Sequence, residues 1–292
     1  MKYLGVCFRY LPLILSVFAP VSFFITYGVA VGYDHVTWFW PYISDTGATP
    51  PESCIFGLLL NTIAFALSVI VYLRYRYVSD FVKMKPHVKI KRWLNKSATT
   101  FGYLSCFGLV IVANFEETSQ IIVHVIGAIM AFCFGSLYFG FQTFFTYKIE
   151  PSSKIKFWIR AFLTFFGVTC IVGFLAPIAP AISNFKGEDF LKWKPEDGGF
   201  GLHLTSTFFE WFLMFSYCFF FVTMFLDFRQ VKIIPPQIRK NEALGVRESF
   251  EQLCTLRPDE SFHSRNLNLG WGGGQSQEET KTGTHGETYR NR

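Results

Sequence analysis

Charge is scarce in this sequence. Of 292 residues, 16% are Asp, Glu, Lys or Arg, against roughly 25% in an ordinary soluble domain. That composition excludes a water-soluble domain and a disordered chain. The seven cysteines, at 7, 54, 106, 133, 170, 218 and 254, include no spaced pair in a loop, so neither a disulfide framework nor a zinc pattern is present. There is no GxSxG, no Walker loop, no glycine-rich dinucleotide fingerprint and no HExxH or HxxxH spacing. We therefore expect no catalytic residues, no bound metal and no cofactor.

What is abundant is apolar surface: 51% of residues are hydrophobic and 19% aromatic, with 36 Phe. A bilayer core takes about 20 apolar residues as helix. Six stretches qualify, at 11–31, 54–73, 99–115, 120–147, 157–182 and 203–226. The expected fold is all-α, a polytopic six-helix membrane bundle over 1–226, followed by a largely disordered polar tail over 227–292 with a short helix around 241–253. The first run lacks a small-residue cleavage site and reads as a retained helix rather than a signal peptide.

Charge position sets the orientation. Two basic residues precede the first run, eight lie in 74–98, four in the fourth connection and ten after 226, placing 24 of 27 on one side. The other side holds Lys186, Lys192 and Lys194 with nine acids, among them Asp34, Asp45, Glu52, Glu116 and Glu117. The positive-inside rule then puts both termini in the cytosol. The 74–98 loop, at net +7, lies against the membrane. Its Lys83, Lys85, Lys89 and Lys91 are candidate contacts for anionic lipid. Nucleic acid is not expected, because the basic residues are spread over several membrane-proximal segments.

Polar residues inside spans are costly and so informative. Glu210 sits about 10 Å into the sixth span at 1.5 Å per residue, on one face with His203, Thr207, Met214 and Tyr217. His124 shares a face with Gly127, Ala131, Gly135 and Gln142, a small-residue stripe suited to close helix packing. With Asn61 and Asn114, these residues make the outer half the polar half and define a candidate pocket of His124, His203, Glu210, Asn61 and Asn114. Glu210 either locks the sixth helix to its neighbours or lines a pocket for a lipid head group, a proton or a solute. Convergence of His35, His124 and His203 on a metal has no motif behind it. Pro20, Pro177 and Pro180 are expected to kink their helices.

The first outer loop is rich in turn formers. Pro41, Ser44, Asp45, Thr46, Gly47, Pro51 and Glu52 stand out, with Asp45 and Thr46 suited to bonding their own backbone and Ser53 to capping the second helix. Trp38, Trp40 and Tyr42 suit a membrane interface. The loop reads as an ordered lid or as part of a binding surface.

At Pro41-Tyr-Ile-Ser-Asp-Thr-Gly-Ala-Thr-Pro-Pro-Glu, followed by Phe56-Gly and Asn61, the chain resembles the damage-regulated autophagy modulator (DRAM) family, within a broader group that includes transmembrane-150 and Sfk-type proteins. Tyr72-Leu-Arg-Tyr-Arg, the 104–116 stretch, His124, Phe157-Trp-Ile-Arg, Trp193-Lys-Pro-Glu-Asp-Gly-Gly with His203, Glu210-Trp211 and Asp227-Phe-Arg-Gln extend the likeness over about 8–232, nearest the lysosomal second-member type. The resemblance implies a non-enzymatic regulator of lysosomal or late endosomal membranes. Such a protein promotes autophagy, is linked to stress-induced cell death, and works through membrane lipids or membrane protein partners. Two other readings are a lipid-handling protein, as in the GPI-lipid-remodelling relatives of the broader group, and a proton-linked transporter using Glu210.

Overall fold

The computed structural model describes residues 2–229, and no strand occurs among them. Six long helices follow in order: α1 Lys2–Gly32, α2 Glu52–Met84, α3 Arg92–Asn114, α4 Glu117–Ile149, α5 Lys154–Asn184 and α6 Phe200–Arg229. All six are long and apolar enough to cross a membrane. The backbone groups of each are satisfied largely within the helix, as a hydrocarbon environment demands. Large side chains such as Phe65, Ile122 and Phe165 point outward at over 70% exposure, which suits a protein solvated by lipid rather than water.

Each helix packs on its neighbour in sequence, and α6 returns against α1, closing a ring. The core joins Leu15 of α1, Leu60 and Ile70 of α2, Phe139 of α4 and Trp211, Phe220 and Phe221 of α6. A smaller apolar cluster of Val78, Ile90, Ala98, Phe145 and Ile149 fills the opposite end. We call the end carrying the 33–51 and 185–199 loops the acidic end, and the end carrying the 85–91 turn the basic end.

The helices outrun the apolar stretches. α2 continues to Met84 and α3 begins at Arg92, so the expected 74–98 loop shrinks to a turn at 85–91. Arg74, Arg76 and Lys83 ride on α2, and Asn95, in the only glycosylation sequon, is a buried residue of α3 whose Nδ2 donates to Tyr75 O and Ser79 Oγ at 3.0 Å. α6 runs through Asp227 to Arg229. The expected tail beyond it, with the short helix at 241–253, lies outside the described residues. Pro12, Pro20, Pro177 and Pro180 all lie within unbroken helices.

α4 is interrupted by a π-turn over Met130–Phe134. A π-turn leaves carbonyls without their usual intrahelical donors. Here Ser105 Oγ donates to Ala131 O at 2.7 Å and Tyr217 OH to Phe132 O at 2.5 Å. The small-residue stripe serves packing. A Cβ on Gly108 of α3 would come within 2.5 Å of Ala131 N and 2.6 Å of Gly127 O.

Candidate functional site

The loop at 41–48 is held by three helices. In a helical bundle its backbone groups have no ladder to join and must find partners elsewhere. Glu210 Oε2 of α6 accepts from Ile43 N at 2.7 Å, and Trp211 Nε1 donates to Pro41 O at 3.0 Å. Thr46 Oγ1 donates to Ile43 O at 2.7 Å and meets Thr26 Oγ1 of α1 at 3.0 Å. Thr118 Oγ1, in the first turn of α4, donates to Ala48 O at 2.9 Å. Asp45–Gly47 form a buried 3-10 turn, Gly47 N donating to Ser44 O. Phe56 lies so close that a Cβ on Gly47 would fall 2.3 Å from its ring. Glu52, fully buried, meets His35 Nδ1 at 2.6 Å. Ser53 does not cap α2: the helix starts at Glu52 behind Pro51 with no side-chain cap.

The 185–199 loop docks beside it. Thr37 N donates to Leu191 O, and Lys192 reaches Asp34 at 2.8 Å, which holds the Asp34 carboxyl below its usual range. Trp193 lies over His203 at 4.3 Å between ring centroids, and Tyr42 meets the same imidazole edge-on at 4.9 Å. Gly198, at φ +77°, closes the turn where a side chain would strike Asn184 O.

Beneath these loops lies a cavity of about 670 Å³. Its body is apolar, with Leu15, Phe56, Leu60, Phe132, Phe174 and Met214 in the walls, while Asp45, Glu117 and Glu210 converge at its head. Burial, reinforced by the facing Glu117 and by Glu210, pushes the Asp45 carboxyl well above its ordinary value. Burial also raises the Tyr42 phenol.

The five pocket candidates divide. Glu210 and His124 line this cavity, while His124 also borders a second recess of about 490 Å³ with Asn61 and Asn114. Asn61 and Asn114 pair amide to amide at 3.1 and 3.3 Å, and His124 Nδ1 meets Phe115 O at 2.7 Å. His203 lines neither, lying behind Trp193 and Tyr42. Pro41 and Pro51 frame the loop, and Ser44 with Asp45 borders the large cavity. Lys83, Lys85, Lys89 and Lys91 are exposed at the basic end, Lys83 pairing with Asp80 at 3.2 Å.

One cluster runs against the sequence reading. The acidic end is not the sole polar half, because the densest buried charge is at the basic end. Arg74 and Arg160, expected in connecting segments, are 2% and 0% exposed. Both converge on Asp227 Oδ2, at 2.6 and 2.8 Å, while Lys156 reaches Oδ1 at 2.7 Å and pairs with Glu150. Gln142 Oε1 accepts from Arg74 Nε at 2.7 Å. Thr223 takes Arg160 through its hydroxyl at 2.8 Å and its carbonyl at 2.9 Å. The signal available was the quoted motifs themselves: Tyr72–Arg76, Phe157–Arg160 and the stretch from Asp227 each supply one member.

The arrangement defines a multi-pass membrane protein with a clasped loop over an internal cavity. The profile described as the Frag1/DRAM/Sfk1/Cwh43P N-terminal domain matches residues 7–231, and the chain belongs to that family. It is 37% identical over 229 residues to the DNA damage-regulated autophagy modulator protein 2 of Homo sapiens and equally to that of Rattus norvegicus, covering 77% of this chain and 85% of theirs. To protein 1 of Homo sapiens it is 34% identical over 226 residues, covering 77% of this chain and 92% of the relative. No solved structure matches.

Proposed function

We propose that this protein is a non-enzymatic modulator of autophagy, resident in lysosomal or late endosomal membranes and linked to stress-induced cell death. The observation that carries the reading is collinear likeness across the whole bundle to relatives named as autophagy modulators. Both termini face the cytosol, as the basic excess at that end favours. Asn95 makes a poor reporter of this orientation, since it lies inside α3 with its side chain buried against α2. A better one is Lys186→Cys, in the 185–199 loop, placed in a chain whose seven native cysteines are replaced by Ser. It should react with a membrane-impermeant maleimide only after the organelle membrane is opened, and labelling from the cytosolic side would reverse the orientation. Loss of the protein should slow lysosomal turnover of a lipidated autophagosome marker, and re-expression should restore it. Normal flux in its absence would end the reading.

A second reading, lipid handling, is favoured by the apolar cavity with its polar head. On this view lipid occupancy is what the modulator senses.

A further inference from the structure

The cavity specifies its occupant more closely than the family does. It is long: Leu15 and Leu67, in its deep wall, lie roughly 20–25 Å along α1 and α2 from their acidic-end termini, at 1.5 Å per residue. Its volume is that of a small-molecule site, about 300–1,000 Å³. It is also open sideways. α4 makes its main contacts with α5 from the π-turn toward the basic end. Nearer the acidic end Ile121 and Val125 of α4 and Leu175 and Ile182 of α5 line the cavity and are also exposed. A ligand therefore enters from the hydrocarbon, chain and all, and not from water.

The head discriminates by charge. Asp45, Glu117 and Glu210 meet there, with Glu188 and Asp189 on the lining above, and no Lys or Arg lines the cavity among the described residues. A phosphate or carboxylate head would find no counter-charge there. Glu210 is 5% exposed. Its Oε2 is taken by Ile43 N, and its Oε1 has no hydrogen-bond partner among the described residues. Three carboxyls lining one end of an otherwise apolar cavity favour a donor there, and an ammonium carries three. An alkyl amine stays protonated through neutral pH, with a reference pKa of about 10.

We propose that this cavity binds a single-chain lipid with a protonated amine head, a long-chain base, its ammonium between Asp45, Glu117 and Glu210 and its chain running down between α1, α2, α4 and α6. The proposal rests on the lipid-handling reading.

The test uses the full-length protein in phosphatidylcholine nanodiscs with photoreactive, clickable sphingosine as probe. Label should map to the Ile121–Ile129 stretch or the facing turn of α5. Octadecylamine should compete for it, and stearic acid and octadecanol should not. Glu210→Gln keeps an acceptor for Ile43 N, and Glu117→Gln touches a half-exposed side chain. Each should weaken binding about tenfold, the loss of one charge-assisted hydrogen bond. Ala128→Trp should abolish labelling by filling the cavity. Competition by octadecanol or stearic acid equal to that by octadecylamine would overturn the proposal. So would label elsewhere, or unchanged affinity in folded Glu117→Gln, a variant that keeps the charge test decisive if Glu210→Gln fails to fold. Because binding is read on purified protein, a failure here leaves the autophagy reading to its own cellular assay.

Discussion

The two ends of the bundle handle buried charge in opposite ways. At the basic end charge meets charge: Asp227 is surrounded by Arg74, Arg160 and Lys156, and Thr146, Thr223 and Gln142 take further guanidinium donors. At the cavity head of the acidic end, Asp45, Glu117 and Glu210 gather with no Lys or Arg on the lining, and what they hold is backbone, Ile43 N by Glu210 and Tyr42 N by Asp45 at 3.3 Å. The first arrangement is closed on itself, a clasp of ion pairs across α2, α5 and α6. The second leaves acceptor capacity facing a cavity. Burial of ionisable groups alone does not mark a ligand site, whereas their convergence on an open cavity does.

The basic-end clasp is most vulnerable at Asp227, where its three cations meet. Asp227→Ala strands two buried guanidinium groups, and removing one partner of a buried ion pair costs about 3–5 kcal/mol. Folded yield in detergent should collapse. Replacing Arg74, Arg160 and Asp227 together by Met or Leu should recover much of it, since an apolar substitute for a buried ion cluster is often neutral. At the other end Glu210→Ala leaves the Ile43 amide without its acceptor, a loss of about 1–3 kcal/mol. The melting temperature should drop less than for Asp227→Ala, and Glu210→Gln should restore most of the difference.

Asp45 sharpens the contrast through pH. Its carboxyl is raised by burial, with Glu117, Glu210 and the Tyr42 phenol facing it. The folded form then holds a proton that the unfolded chain releases, so this group's contribution to stability is full at acid pH and falls as pH rises above the ordinary carboxylate range. The melting temperature should decline with pH over that window, and Asp45→Asn should flatten the decline. Smallest in effect on stability is replacement of the exposed Lys83, Lys85, Lys89 and Lys91 by Gln. Melting should shift by no more than about 0.5 kcal/mol, surface substitutions being nearly neutral. Association with anionic vesicles should weaken by at most about 1 kcal/mol per residue.

The six spans were legible because runs of Leu, Ile, Val and Phe of that length have few other uses. Their ends were not. Arg74 and Arg160 look like membrane-edge cations until Asp227, far along the chain, is brought between them, and no local pattern announces that pairing. Glu210 stood out as an acid in an apolar run, yet its partner is a main-chain amide 167 residues away, a group every residue possesses. The 41–48 loop was legible as ordered from its prolines, Gly47 and Asp45. Which helices hold it depends on Thr26, Thr118 and Trp211, none of which is unusual where it stands.

The π-turn in α4 has a geometric corollary. One inserted residue turns everything beyond it by about 100° relative to a continuous helix, so the two halves of α4 obey different wheel diagrams. Gly127, before the turn, faces Ile111 of α3, whereas Gly135, after it, lies against Tyr217 of α6 as well as Ser105. A stripe that looks straight in sequence is thus a spiral in space, handing the helix from one neighbour to the next and letting a single rod serve two interfaces.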